Sequence, residues 1–166
     1  MTQASPIFDD AHLLKCEMAG EVLRENGTLR LQATGWSMLP AVLPGDTLVI
    51  DHVAAEDVCP GDIVLFQRDR RLFAHRVTGR DANRQIATRG DSMPQADGPL
   101  KDGELLGKIT FLVRNGRLIV PKTKPSASAR LVAKLVRRST MAARVVVGIH
   151  GIRQGAQASR VVSCQS

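Results

Sequence analysis

From residue 28 to residue 120 turn-forming residues cut this chain into short apolar segments, and no other feature limits its fold as tightly. Thr28-Leu-Arg-Leu-Gln32 alternates apolar and polar side chains with a period of two, as a half-buried strand does. Pro44-Gly45-Asp46 turns into Thr47-Leu-Val-Ile-Asp51, and Pro60-Gly61-Asp62 turns in the same way into Ile63-Val-Leu-Phe66. Residues 62–68 and 72–80 read as strands joined by Asp69-Arg70-Arg71, and 85–89 as a further short strand. Residues 105–113 and 117–120 form a hairpin about Asn115-Gly116, the pair best suited to a two-residue turn. The Asp-, Pro- and Gly-rich stretch 90–102 reads as a loop. Short strands at regular spacing imply a mainly β fold, a small barrel or sandwich.

The flanks differ. Residues 1–8 are expected to be disordered. Asp9 or Asp10 then caps a helix running to about Glu25, which Asn26-Gly27 closes. Leu14, Met18 and Val22 form an i, i+4 stripe, with Leu13 and Leu23 beside it, so the helix is expected to cover a sheet edge with that face. Residues 121–128 have the composition of a linker. Residues 129–142 read as a helix with Arg130, Lys134, Arg137 and Arg138 on one face and Leu131, Val132, Leu135 and Val136 on another. The expected division is therefore an N-terminal segment and helix over 1–27, a β-domain over 28–121 and a basic, partly helical tail over 122–166.

Charge follows the same division. The formal net charge is +7, yet every Asp and Glu lies at or before Glu104, so the basicity belongs to the last third of the chain. Such a tail suits an anionic partner. The plainer reading is a helix packed on the β-domain with its basic face solvated; the other is a helix lying in a membrane interface. Few aromatic residues accompany the basic ones, which argues against specific single-strand nucleic-acid binding. Tyrosine is absent, so the core must be aliphatic. Cys16, Cys59 and Cys164 are odd in number and far apart, with no ligand spacing to any histidine. They read as free thiols in a reducing compartment, and no metal site is visible. Met1 to Asp10 has no basic n-region and no apolar core, so no secretory signal is expected, and no run approaches the roughly 18–20 apolar residues of a spanning helix. As it stands the sequence is expected to remain cytoplasmic, with any membrane contact peripheral and through the tail.

The chemistry-bearing residues lie on the turns. Gly35-Trp36-Ser37-Met38-Leu39-Pro40 holds a serine on a loop constrained by glycine and proline, just ahead of a strand. A serine hydroxyl needs a general base to act as a nucleophile at neutral pH, and His75 in Phe73-Ala74-His75-Arg76-Val77 is the best candidate. An imidazole used in this way must be held in one tautomer by a carboxylate, and Asp91 and Asp97 are both available in the loop after the next strand. Each residue also has an ordinary reading: a turn serine bonded to its own backbone, a packed core histidine, a turn aspartate. For Asp46 and Asp62, each in a Pro-Gly-Asp turn, turn stabilisation is the better reading.

Together the Gly-x-Ser-Met-x-Pro box, the two Gly-Asp strands, His75-Arg76 and Arg89-Gly90-Asp91 with Asp97 resemble the type I signal peptidases over about residues 29–120. The resemblance is to the branch found in archaea and the endoplasmic reticulum, which uses histidine where bacterial housekeeping enzymes use lysine. It implies Ser37 as nucleophile, His75 as general base and Asp97 as the orienting carboxylate, with Asp91 and Arg76 in support. The Ser37 N–H would receive the oxyanion. Gly35 stands where some members carry a second hydroxyl donor, and instead leaves room for the substrate backbone. Met38 and Pro40 would shape the loop and the pocket floor, while Trp36 would line the substrate groove or anchor the loop. The implied activity is a serine endopeptidase that needs no cofactor or metal, acting on precursor proteins or peptides after small residues in an Ala-x-Ala pattern. The sequence departs from that family in lacking an evident N-terminal anchor.

Two other functions fit parts of the chain. Self-cleaving regulators of the SOS-repressor type share this β-fold, and Ala19-Gly20 is the kind of bond they cut. They use lysine as base, however, and no helix-turn-helix is expected from the residues ahead of the core. A catalytically inactive module that binds through its basic tail is the third possibility, and salt-sensitive binding unchanged by Ser37→Ala would mark it.

Overall fold

The structure is a computed structural model that describes residues 6–124. Among the described residues one helix, α1 (Pro6–Asn26), precedes seven strands: β1 (Thr28–Gln32), β2 (Thr47–Asp51), β3 (Ile63–Arg68), β4 (Arg71–Arg80), β5 (Ile86–Arg89), β6 (Leu105–Arg114) and β7 (Arg117–Ile119). The pairings among these strands are all antiparallel, in the order β1-β2-β6-β3-β4-β5 with β7 also on β6, and over the described residues the sheet does not close on itself. The fold is mainly β, as the short alternating segments imply. The helix expected over 129–142 lies outside the described residues.

β6 is the spine. One edge pairs with β2 from Lys108 to Val113; the other pairs with β3 near Gly107 and with β7 from Leu112 to Arg114. Two aliphatic clusters form. One gathers Leu23, Met38, Val42, Leu48, Ile50, Ile63, Leu65, Ile109 and Leu112; the other gathers Val58, Val64, Phe66, Val77, Ile86 and Leu100. Val64 and Phe66 belong to the second cluster and Ile63 and Leu65 to the first, so β3 is buried on both faces.

The two Pro-Gly-Asp turns are built alike. In each, the aspartate N–H donates to the carbonyl three residues back (Asp46 to Leu43, 3.0 Å; Asp62 to Cys59, 3.1 Å). Its carboxylate accepts the N–H of that same residue, at 2.8 Å from Leu43 and 3.0 Å from Cys59. Glycine is needed in the third position because φ there is +93° at Gly45 and +99° at Gly61. Each carboxylate also meets a cation of β6: Arg114 grips Asp46 at 2.8 and 2.6 Å, and Lys108 lies 2.9 Å from Asp62. Their part is therefore structural.

α1 begins at Pro6, ahead of the expected Asp9 or Asp10, so residues 6–8 are helical rather than disordered. Proline suits a first helical turn, where its missing N–H has no intrahelical partner. Gly27, at φ +71°, closes the other end by donating to Leu23 O. The face turned to the sheet is only partly the expected one: Leu23 belongs to it, Leu14 and Met18 do not. Leu14 and Met18 are exposed, while Cys16, Ala19, Gly20 and Leu23 are buried. Gly20 faces β6, where a Cβ would meet Leu106 Cδ2 at an ordinary contact distance of 3.6 Å. Cys16 and Cys59 are free thiols, and burial pushes the Cys16 thiol upward.

Arg68, the last residue of β3, ties the 97–104 loop to the sheet. It donates to both carboxylate oxygens of Glu104, at 3.1 and 2.6 Å. These bonds hold the Glu104 carboxyl below its ordinary value, against the opposing effect of burial. A depressed acid stabilises the fold above its unfolded pKa, near 4.3, and loses that contribution as pH falls through the lower folded value. Glu104→Gln is expected to lower stability by about 1 kcal/mol at pH 7. Urea unfolding of both proteins at pH 7 and near pH 3 checks this: the difference should shrink at the acid end.

Candidate active site

Ser37 lies on a loop closed at its neck. Ala33 N–H donates to Asp46 O and Gly45 N–H to Ala33 O, both at 2.8 Å, so residues 34–44 leave the sheet and return to it at one point. Met38 and Leu39 anchor the loop in the core, at 3% and 0% exposure, and Arg114 donates to Ala41 O at 3.1 Å. Met38 thus packs into the aliphatic cluster beneath the loop. Pro40 follows a cis peptide bond. Gly35 is exposed, and a Cβ there would meet nothing within 4 Å. Trp36, 42% exposed, stands beside the serine.

His75 and Arg76 are adjacent on β4, so their side chains leave opposite faces of the sheet. His75 is buried among Phe66 and Phe73, with ring centroids 5.8 and 5.9 Å away. Its Nε2 is 2.9 Å from Ser37 Oγ and its Nδ1 is 2.7 Å from Asp97 Oδ2. A carboxylate acceptor beside Nδ1 keeps the proton of the neutral ring there and leaves Nε2 to accept from the serine hydroxyl. Asp97 is held in turn: Thr88 Oγ1 donates to its Oδ2 at 2.8 Å, and its own N–H donates to Thr88 O at 2.9 Å.

Asp91 is bound on the other face. Arg76 grips it at 2.8 Å through both Nε and Nη2, and Arg76 Nη1 donates to Gly61 O and Lys122 O. Of the two candidate carboxylates, Asp97 contacts His75 and Asp91 contacts Arg76.

The Asp91 loop also locks the serine loop. Ser92 N–H donates to Ser37 O at 2.9 Å, and Ser92 Oγ donates to Trp36 O at 2.7 Å. Gly90 makes this approach possible, since a Cβ there would lie 2.6 Å from Ser37 O and 2.7 Å from Met93 Cγ. Gly90→Ala is expected to push the two loops apart at a cost of about 1–3 kcal/mol. Denaturant unfolding measures that cost, and an unchanged midpoint would contradict the close approach.

Thr88, Ser92 and Arg114 brace the loops of the site and have no part in the sequence motifs, and Gly90 appears there only within Arg89-Gly90-Asp91. A signal exists for Thr88: it shares a strand face with Ile86, and a polar residue at a core-facing position calls for a buried partner. Among the described residues no group of three or more His, Cys, Asp or Glu could hold a metal ion. No described helix is long and apolar enough to cross a membrane. A family model described as Peptidase S24-like matches residues 2–110, which span α1 and most of the sheet. Among curated proteins and among solved structures nothing matches the chain.

Proposed function

We propose that this chain, which belongs to the Peptidase S24-like family, is a serine endopeptidase that cleaves proteins or peptides after small residues, as signal peptidases do. The observation that carries the reading is the continuous hydrogen-bonded line from Ser37 Oγ through the His75 ring to Asp97 Oδ2, at 2.9 and 2.7 Å.

In this mechanism His75 Nε2 takes the Ser37 proton as Oγ attacks the scissile carbonyl carbon. Asp97 stabilises the resulting imidazolium and keeps the ring oriented. The Ser37 N–H, on a loop whose carbonyls Ser92 restrains, receives the oxyanion. His75 then gives its proton to the leaving amine, and water enters by the same route to release the acyl group. Arg76 and Asp91 support the loop from the far face. Gly35 leaves open space beside the nucleophile for an extended substrate backbone, while Trp36 offers it an apolar wall. The preference for small residues rests on the Gly-x-Ser-Met-x-Pro resemblance. Incubation of the full chain with an Ala-x-Ala precursor peptide and with a mixed peptide library, read by mass spectrometry, tests both parts. Cuts after small residues that vanish in Ser37→Ala are expected; cuts that persist in Ser37→Ala would end the proposal.

The family match also favours a second reading, a self-cleaving regulator of the SOS-repressor type. The Ala19-Gly20 bond would have to leave α1, where both residues are buried and the helix lies against β1, β4 and β6. A scissile bond must be extended at the nucleophile, so cutting there requires local unwinding of the helix. An intact mass that stays constant during incubation at alkaline pH would exclude self-cleavage and leave the first reading in place.

A further inference from the structure

Asp97 heads a segment with little means of holding its own shape. Gly98 has no side chain to restrict it, and Pro99 has no N–H to donate. The segment runs beside β5 through bonds from Asp97 N–H to Thr88 O and from Leu100 N–H to Ile86 O, both at 2.9 Å. The Gly98 and Pro99 carbonyls between those points turn to one side chain. Arg68 donates from Nη1 to Gly98 O at 3.0 Å and from Nη2 to Pro99 O at 2.9 Å. Its Nε and Nη2 also donate to Glu104, which in turn accepts the Lys101 N–H at 2.9 Å. The guanidinium lies 5.5 Å from the centroid of Phe66, the ring that abuts His75.

We infer that Arg68, locked by Glu104, is a positioning residue for the Ser37–His75–Asp97 line: it fixes the two carbonyls after Asp97 and so holds that carboxylate on His75 Nδ1. This rests on the reading of that line as a catalytic triad. A guanidinium suits the task because its planar fork serves two carbonyls and a carboxylate at once, which a lysine ammonium cannot reproduce. Arg68 sits two residues beyond Phe66 on the same strand, so one element supports the histidine ring through Phe66 and the aspartate loop through Arg68.

The test uses the full chain and a fluorophosphonate probe. Ser37 Oγ forms a bond to phosphorus, fluoride leaves, and His75 accepts the hydroxyl proton. Intact-mass time courses at several probe concentrations give kinact and KI, referred to the folded fraction. Arg68→Met and Arg68→Lys are each expected to lower kinact about tenfold with KI within about twofold, less than the ~100-fold that a full ångström of misplacement can cost. Asp97→Asn is expected to lower kinact further. The double variant Arg68→Met/Asp97→Asn should be no slower than Asp97→Asn alone, because Arg68 acts through Asp97. Glu104→Gln, a milder change, should reproduce the pattern at about threefold. A purely structural role predicts something else, either unchanged kinact per folded molecule or the same factor of loss with and without Asp97, and either result overturns the inference. Wild type unlabelled at Ser37 would remove the triad itself and the inference with it. Wild type labelled, Asp97→Asn slow and Arg68→Met unaffected would remove the inference alone.

Discussion

Ser37→Ala and His75→Gln are each expected to lower kcat/KM on a cleaved peptide by a factor on the order of 10^4 to 10^6, and the double variant should lose no more than either alone. In the proposed mechanism the hydroxyl and the imidazole, 2.9 Å apart, act as one unit: without His75 the Ser37 proton would have no acceptor, and without Ser37 the base would have nothing to activate. Neither change should unfold the protein. Ser37 lies on a loop anchored elsewhere, and glutamine keeps much of the volume and polarity that the His75 pocket encloses. Losses that multiply in the double variant would show that the two residues work independently, and the triad reading would fail.

Arg76→Met is expected to have the largest effect on stability, about 3–5 kcal/mol. The Arg76 and Asp91 side chains are each 8% exposed, and Arg76 also binds the carbonyls of Gly61 and Lys122. Removing the guanidinium takes the Arg76 partner from a buried carboxylate and two acceptors together. Against a typical total of about 5–15 kcal/mol for a domain, that loss leaves a protein close to unfolding. Arg76→Lys should recover part of it, since the charge remains while the fork is lost. Guanidinium unfolding measures both, and a change below about 1 kcal/mol for Arg76→Met would show that this pair does not support the fold as argued.

The adjacent positions 75 and 76 explain why much of the site is legible in the sequence. A strand sends neighbours to opposite faces, so one dipeptide serves the Ser37 loop on one side and the Asp91 anchor on the other. Strand limits are legible because period-two patterns end at glycine, proline or Asn115-Gly116: β1 and β2 occupy Thr28–Gln32 and Thr47–Asp51 as read. The hairpin between β3 and β4 turns through Asp69 and Arg70 at φ +50° and +59° without any glycine.

What the sequence hides is set by packing at a distance. The stripe Leu14–Met18–Val22 is the more hydrophobic, yet the helix turns Cys16, Ala19 and Gly20 to the sheet beside Leu23, and a hydrophobicity pattern discounts such small residues. Arg114 on Asp46 and Arg68 on Glu104 join residues far apart in the chain, and no local spacing announces them. Both pairs hold loops that carry site residues, so the supporting frame is harder to read than the residues it supports.

The central claim is that Ser37 is a nucleophile made reactive by His75. It is tested most directly by labelling the full chain with a fluorophosphonate and mapping the adduct by peptide mass spectrometry. A single adduct on Ser37 in wild type, absent from His75→Gln, is the expected result. Wild type without an adduct, or His75→Gln labelled as fast as wild type, would contradict it.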